Sequence, residues 1–583
     1  MAITAPSANS APWKADAVAV PRLTAATPLR DRLWNLLPVT LSLFIVSTLF
    51  WGPFFTPFVL GLAIVAFFVY WLIRSYAVAI SCMIGFRRIE RWKRTAWFDK
   101  YAKHRAWQRD PDALPDWDWP RHMVIIPNYN ESDEGLARTL NSLAAQSNAS
   151  QLVVVMAMEA REAASRAKAA RLIMRFRSRF NDMFATYHPA GLPAETPGKG
   201  SNEAWAAREA HTRLIEHAGM DIDRFTITSC DADAVFHPQH FAALNYLFLA
   251  NEDRYRTFWQ PTIFNSNNIW DIPAPLRLPD GLSGINRTSN LVMPGSVKFP
   301  TSCYSVSWSM LHEVDYWDEE VIPEDWHVYL KCCYTLGDRV HVEPIFLPLG
   351  NDCVLTDGYF KTMRAHYAQS VRHAWGASDI PYAWRASFGR SPLGIKRRLL
   401  LAGAVTKVHV LWMSQWYIVT MGAHVPMMLT KYFGADMPSW WLAREIKLPG
   451  PGWHIGEMIR GDFSNPVEPW VYLTVATGII YFCLFPLIAM IIFELKTRGP
   501  RPDYVSRTAF IASFGMWPLM AFITFFFASM PALHAQLKLA SGQGLIYRVA
   551  EKGSRRGVTS SPMASPMATA AEAVHESVGA VGR

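Results

Sequence analysis

From Leu33 to Ile73 the chain carries no charged residue. One membrane-spanning helix needs about 20 apolar residues, so this run is long enough for two. Trp51-Gly52-Pro53 predicts the turn between them. Arg22, Arg30 and Arg32 precede the run, and Arg74, Arg87, Arg88, Arg91, Lys93 and Arg94 follow it. Basic flanks stay on the cytosolic side, so residues 33–73 are predicted to form a transmembrane hairpin with both ends in the cytosol. The long segment that follows is then cytosolic. Uncharged runs return at Val408–Thr430, Pro469–Phe493 and Thr508–Leu537.

Composition agrees with this segregation. Hydrophobic residues make up 51% of 583, and the formal net charge is +9. The basic residues gather at the ends of apolar runs, where they orient the spans and attract anionic lipid. The pattern of basic and aromatic residues that marks an RNA-binding sheet is missing, so no nucleic-acid partner is expected. Seven cysteines occur without a CxxC pair, and Cys332-Cys333 are adjacent. This usage fits a reduced compartment without disulfides.

The chain divides accordingly. Residues 1–32 are rich in Ala, Pro and Ser and are predicted to be disordered. Residues 74–106 interleave Met83, Ile84, Phe86, Ile89 and Trp92 with arginines, the pattern of a basic helix lying in the membrane surface. Residues 107–398 form a soluble domain, and residues 399–540 a C-terminal membrane region. Residues 541–583 form a tail that is first basic and then disordered. Spans near 404–430, 469–493 and 508–530 bring the total to five. An odd total places the tail outside the cytosol, whereas its Arg548, Lys552, Arg555 and Arg556 place it inside. Either the tail is exported, or one apolar region is interfacial or holds a hairpin.

In the soluble domain, short apolar runs alternate with helical spacing. His122–Pro127, Leu152–Met156 and Phe225–Cys230 read as buried strands. Leu136–Leu143, Ala164–Phe180, Asn202–Ala218 and His237–Leu249 read as helices. The alternation predicts a doubly wound α/β domain with a parallel sheet. Ligands bind such sheets at the carboxyl ends of the strands. The chemistry-bearing residues fall at those ends: Asn128–Glu131, Glu159 and Asp231–Asp233.

Glu131 and its loop N–H groups can contact a nucleotide, or simply form a strand-to-helix turn. Glu159 can accept from a base or ribose, or open a solvated helix. Pro197-Gly198-Lys199-Gly200 puts a lysine between glycines ahead of a helix, a place that favours phosphate. It lacks Walker A spacing. Side chains alternate along an extended chain, so Asp231 and Asp233 face the same way. Two catalytic readings fit them. The pair can hold a divalent cation and, through it, a diphosphate. Alternatively, Asp231 is the nucleophile of a haloacid-dehalogenase-type phosphohydrolase. The two strand–helix units ahead of the pair favour the first reading. Glu324-Asp325 supplies acids at a helix start, with a carboxylate able to deprotonate an acceptor hydroxyl. Gln369, Arg372 and His373 share a helical face with Trp375 nearby. There Arg372 can pair with a diphosphate, and Trp375 can stack on a sugar.

In this order the motifs resemble those of membrane-embedded family 2 glycosyltransferases, the group of the cellulose and hyaluronan synthases. The resemblance covers roughly residues 33–550. It implies a GT-A, Rossmann-like cytosolic domain inserted between transmembrane helices, in a bacterial inner membrane. Glu159 stands near the nucleotide, where the family often has Asp. Asp231 and Asp233 match its DxD motif, with Asp233 the main ligand of Mg2+ or Mn2+. Asp325 matches the catalytic base, with Glu324 beside it. Gln369, Arg372 and Trp375 resemble QxxRW, with two extra residues before the Trp. Leu545–Gly553 resembles the segment after the last span and implies a cytosolic tail. The implied activity is inverting transfer of a sugar from a nucleotide-sugar donor to a lipid or polysaccharide acceptor, giving a β-glycoside. A non-catalytic, nucleotide-sensing component of glycan export is the remaining alternative.

Overall fold

The computed structural model describes residues 29–108, 110, 114–193, 195–422, 424–433, 478–479 and 481–543. Two long helices come first, α1 (Leu29–Phe55) and α2 (Pro57–Lys93). The break falls at Thr56, not at the predicted Trp51-Gly52-Pro53, which lies inside α1. Pro57 opens α2 at a position where a missing N–H costs nothing. Leu49 of α1 then packs in one cluster with Leu60, Ile64 and Phe68 of α2.

The predicted surface helix in 74–106 is not a separate element, because α2 runs through it to Lys93. At 1.5 Å per residue its 37 residues extend about 55 Å, well beyond a hydrocarbon core of about 30 Å. The excess packs on the soluble domain. Phe86 stacks on Phe264 at 6.1 Å, Trp92 meets Phe346 edge-on at 5.6 Å, and Ile89 is buried. These apolar residues thus face protein.

After α3 (Trp97–Ala106) the chain enters the α/β domain. The first half is β1 (Arg121–Asn128), α4 (Asp133–Ala144), β2 (Leu152–Glu159), α5 (Ser165–Phe176), β3 (Asp182–His188), α6 (Lys199–His211) and β4 (Phe225–Ser229). The second half is β5 (Val235–Phe236), α7 (His240–Ala250), β6 (Thr257–Asn265), α8 (Ala274–Val292), β7 (Tyr304–Ser307), α9 (Trp308–Glu313), α10 (Glu324–Leu336) and β8 (His341–Asn351). The strands form one sheet in the order β3-β2-β1-β4-β7-β6-β8-β5. Strands β1 to β4 are mutually parallel, and β6 and β8 run the same way. Only β7 and β5 are reversed. The sheet is therefore mixed and not purely parallel, within the expected Rossmann-like GT-A class.

Alternation along β1 sends Met123 and Ile125 to one core cluster and Val124 and Ile126 to the other. Helices cover both faces, so the central strands are apolar throughout. The carboxyl ends of β1, β2, β4, β6 and β8 share one edge. Because β7 is reversed, its amino end lies at that same edge.

The chain continues through α11 (Tyr359–Ala374), α12 (Asp379–Phe388), α13 (Ile395–Met421) and α14 (His424–Phe433). Beyond the undescribed stretch follow α15 (Leu484–Arg498), α16 (Arg507–Phe514) and α17 (Met520–Ala540). Among the described residues, α1, α2 and α17 hold the three helices long and apolar enough to cross a membrane. Three helices thus meet this measure among the described residues, against five spans predicted for the whole chain. Helix α13 is long, but Lys396, Arg397, Arg398 and Lys407 interrupt its apolar face. Residues 469–477 of the predicted span from 469, the Leu545–Gly553 segment and nearly all of 1–32 lie outside the described residues.

Candidate active site

A cavity of about 1500 Å³ opens along the carboxyl edge of the sheet. Ten of the eleven sequence-predicted site residues line it: Glu131, Glu159, Lys199, Asp231, Asp233, Glu324, Asp325, Gln369, Arg372 and His373. Trp375 does not. Its ring packs instead between two core clusters, against the side that holds Val371 and Ala374. It opens a tight turn after α11 and is carried off the face shared by Gln369 and Arg372.

At the centre stands Ser302, just ahead of the reversed strand β7. Its φ of 60° is in the left-handed region, uncommon for a residue with a Cβ. That conformation aims three of its groups at three partners. The N–H donates to Asp325 Oδ2 at 3.0 Å, the C=O accepts from Lys199 Nζ at 2.6 Å, and Oγ donates to Asp231 Oδ2. Asn351, ending β8, donates Nδ2 to the same Asp231 oxygen at 3.2 Å.

Lys199 opens α6. Its Nζ lies 2.9 Å from Asp231 Oδ1 and 3.2 Å from Glu324 Oε1. Gly200 permits this approach, since a Cβ there would come 2.9 Å from the Glu324 Cβ. Burial alone would depress the Lys199 pKa. Asp231, Glu203 and Glu324 outweigh burial and hold it well above the usual lysine value. Beneath it, the fully buried Glu203 accepts from Ser229 Oγ at 2.7 Å. Burial, opposed by Lys199, pushes the Glu203 carboxyl up to about 8.

Asp325 sits in the first turn of α10. Enclosure, and then the neighbouring Glu324 carboxylate, push its pKa up to about 7. The hydrogen bonds from Ser302 and Trp326 N–H and the charge of Lys199 limit the rise. A carboxylate with this pKa is matched to proton abstraction near neutrality.

Asp233 is nearly buried, and its Oδ2 accepts from the Asp352 N–H at 2.7 Å. The two aspartates supply hard oxygen donors, and the nearby Asn351 Oδ1 has no hydrogen-bond partner. Among the described residues no group of three or more His, Cys, Asp or Glu could hold a metal by itself. One or two carboxylates completed by substrate phosphates is nonetheless the usual way proteins hold Mg2+. The donor set therefore fits a cation that arrives with a diphosphate.

The first two strand ends are tied up locally. Glu131 accepts from its own loop's Tyr129 N–H. Glu159 lies 3.1 Å from Arg161 Nε and 3.4 Å from His188 Nδ1, and His188 continues to Glu195 at 2.6 Å. Ser302, Asn351 and Glu203 escaped sequence reasoning. Two are uncharged, and Glu203 gains its meaning only from burial beneath Lys199.

Residues 226–496, just under half of the chain, match the family model for glycosyl transferase family group 2. No curated protein matches. Among solved structures, a mannosyltransferase from Pyrobaculum calidifontis in complex with GDP-Man and Mn2+ aligns at 15% identity and a TM-score of 0.36. The alignment covers 74% of this chain and 99% of that one. The stretch that matches the family model contains Asp231, Asp233, Ser302, Glu324, Asp325 and the Gln369–His373 face.

Proposed function

We propose that this protein transfers a sugar from a nucleotide-sugar donor to an acceptor hydroxyl at the cytosolic face of a membrane, inverting the anomeric centre. The observation that carries the reading is the convergence of Asp231, Lys199 and Asp325 on Ser302 within one cavity. Asp231 and Asp233 would hold the Mg2+ or Mn2+ that accompanies the donor, and when bound it would neutralise charge on the diphosphate. Lys199, its pKa held high, stays cationic beside the leaving group. Arg372 lines the same cavity and offers a planar fork to phosphate oxygens.

Asp325 accepts the proton of the acceptor hydroxyl as that oxygen attacks the anomeric carbon. The bond from that carbon to the diphosphate oxygen breaks, and its electron pair leaves on the nucleotide. One displacement inverts the centre, so an α-linked donor yields a β-glycoside. Gln369 and His373 line the same cavity, and the reading assigns them to the acceptor. Glu131 and Glu159 shape the nucleotide end through the loops they brace. The domain boundaries read from sequence serve this arrangement, with 107–398 as the transferase domain between membrane regions.

The test offers a panel of nucleotide sugars to detergent-purified protein, with Mg2+, Mn2+ or chelator, and follows nucleotide release. Turnover with one donor that stops on chelation supports the reading. Release of inorganic phosphate from phosphomonoesters, with no nucleotide sugar turned over, would replace it with a phosphohydrolase centred on Asp231.

A further inference from the structure

A buried run of charges leads from the Glu159 end of the cavity toward Lys199. The sheet register pairs Glu159, the last residue of β2, with His188, the last of β3. His188 Nδ1 lies 3.4 Å from Glu159 Oε2, and its Nε2 lies 2.6 Å from Glu195 Oε1. All three side chains are at most 5% exposed. A neutral imidazole presents a lone pair at one ring nitrogen, and a carboxylate facing that nitrogen would be repelled. With a carboxylate at each nitrogen, the ring is held protonated. Burial opposes that charge, yet Glu159 and Glu195 raise the His188 pKa above its ordinary value. Arg161, 3.1 Å from Glu159, balances the remaining charge.

Glu195 stands four positions before Lys199, so the run of charges enters the first turn of α6. That turn is seated on the same strand ends. Asn202 Nδ2 donates to the Ala157 C=O of β2 at 2.9 Å, and the Trp205 ring meets His188 edge-on at 5.9 Å. Beside Glu195, the Thr196 N–H donates to the Glu319 C=O at 3.0 Å, and its Oγ donates to the Glu320 C=O at 3.1 Å. These bonds tie the segment to the loop that runs into Glu324 and Asp325. Glu159 and Lys199 line the cavity, whereas His188 and Glu195 do not. The imidazole therefore stands behind the wall, between two residues that face into it.

We infer that His188 is a positioning residue that sets the spacing between two subsites for the donor, the nucleoside at Glu159 and the diphosphate at Lys199. This rests on the transferase reading above and concerns the same cavity. A nucleoside diphosphate engages both subsites at once. Its second contact forms within the first, so the gain is largest when the two are held at the distance the ligand spans. His188 supplies that hold through Glu195 and touches no part of the donor itself.

Titration calorimetry on full-length protein in dodecyl maltoside with Mn2+ tests this. UDP, GDP and ADP are compared with their nucleosides and with pyrophosphate, each of which reaches one subsite alone. Joining two contacts raises affinity by about 10²–10⁴, and slackening the join removes part of that gain. His188→Gln is expected to weaken whichever nucleoside diphosphate binds the wild type by about tenfold, leaving nucleoside and pyrophosphate within about twofold. Glu195→Gln keeps the size of its side chain, touches neither subsite, and is expected to give the same pattern. In the double variant the losses should not add, because the run of charges is already cut. Equal weakening of nucleoside, pyrophosphate and nucleoside diphosphate, or additive losses, overturns the inference. Failure of the wild type to bind any of the three nucleotides removes the transferase reading, and this inference with it. Wild-type nucleotide binding that both variants retain in full removes only the role of His188.

Discussion

Replacing Asp325 with Asn removes a base while sparing its scaffold. The Asn Oδ1 still accepts from the Ser302 N–H, so the left-handed Ser302 keeps its place. What is lost is the proton acceptor. A positioned base contributes roughly 10²–10⁴ in rate, so kcat should fall by that factor while nucleotide affinity changes little. The pH profile sharpens the test. The Asp325 carboxyl is pushed up to about 7, and only its ionised form accepts a proton. Activity is therefore present above that value and lost as pH falls through it. About one-tenth of the protein is competent at pH 6 and about nine-tenths at pH 8, a rise of nearly tenfold. Initial rates of nucleotide release at saturating donor, from pH 5.5 to 8.5, measure both effects. If D325N retains more than about a tenth of the wild-type kcat, or keeps the same rise with pH, Asp325 is not the base.

Other outcomes follow from neighbouring contacts. Lys199→Met leaves Asp231, Glu203 and Glu324 without their shared cation; donor kcat/KM should drop by about 10²–10³, and an unchanged value would remove Lys199 from the donor site. Asp233→Asn should raise the Mn2+ concentration needed for half-maximal activity at least about tenfold; an unshifted titration would place the cation elsewhere. Buried His327 bridges Asp379 at 2.7 Å and Asp318 at 3.0 Å. Burial opposes its charge, yet the two aspartates raise its pKa to about 9. Its contribution, at most about 3 kcal/mol, is complete below the unfolded value near 6.5 and fades as pH rises through 9. The melting temperature should fall across that window, and His327→Gln should flatten the slope. Gly284→Ala puts a Cβ 2.8 Å from the Phe264 ring and should cost about 1–3 kcal/mol by overpacking, read as a lower melting temperature.

The parts legible in the sequence are those with a local signature. Strands β1, β2 and β4 are short continuous apolar runs, and the Asp231–Asp233 loop follows the last of them. The far half of the sheet was hidden by prolines. Pro261 sits inside β6, and Pro344 and Pro348 inside β8, where a proline argues against a central strand. The fold accommodates them at a local irregularity: the β6–β8 register shifts between Pro261 and Thr262. Strand β3 has a polar, alternating pattern and lies at the sheet edge. Trp375 could not be placed from spacing, because helical periodicity ends with α11 at Ala374.

The reversal of β7 explains why the site needs two halves of the chain. A purely parallel sheet would bring only strand ends and helix starts to its carboxyl edge. By entering the sheet backwards between β4 and β6, β7 brings its preceding loop to that edge as well. Ser302, in that loop, faces the Asp231 loop that follows β4, and its left-handed backbone turns a further donor toward α10. Asp231 and Asp325 are ninety-four positions apart, yet each bonds to a different atom of one serine. On the proposed transferase reading, leaving-group and acceptor chemistry are thereby fixed to a common rigid reference, which near-attack geometry demands.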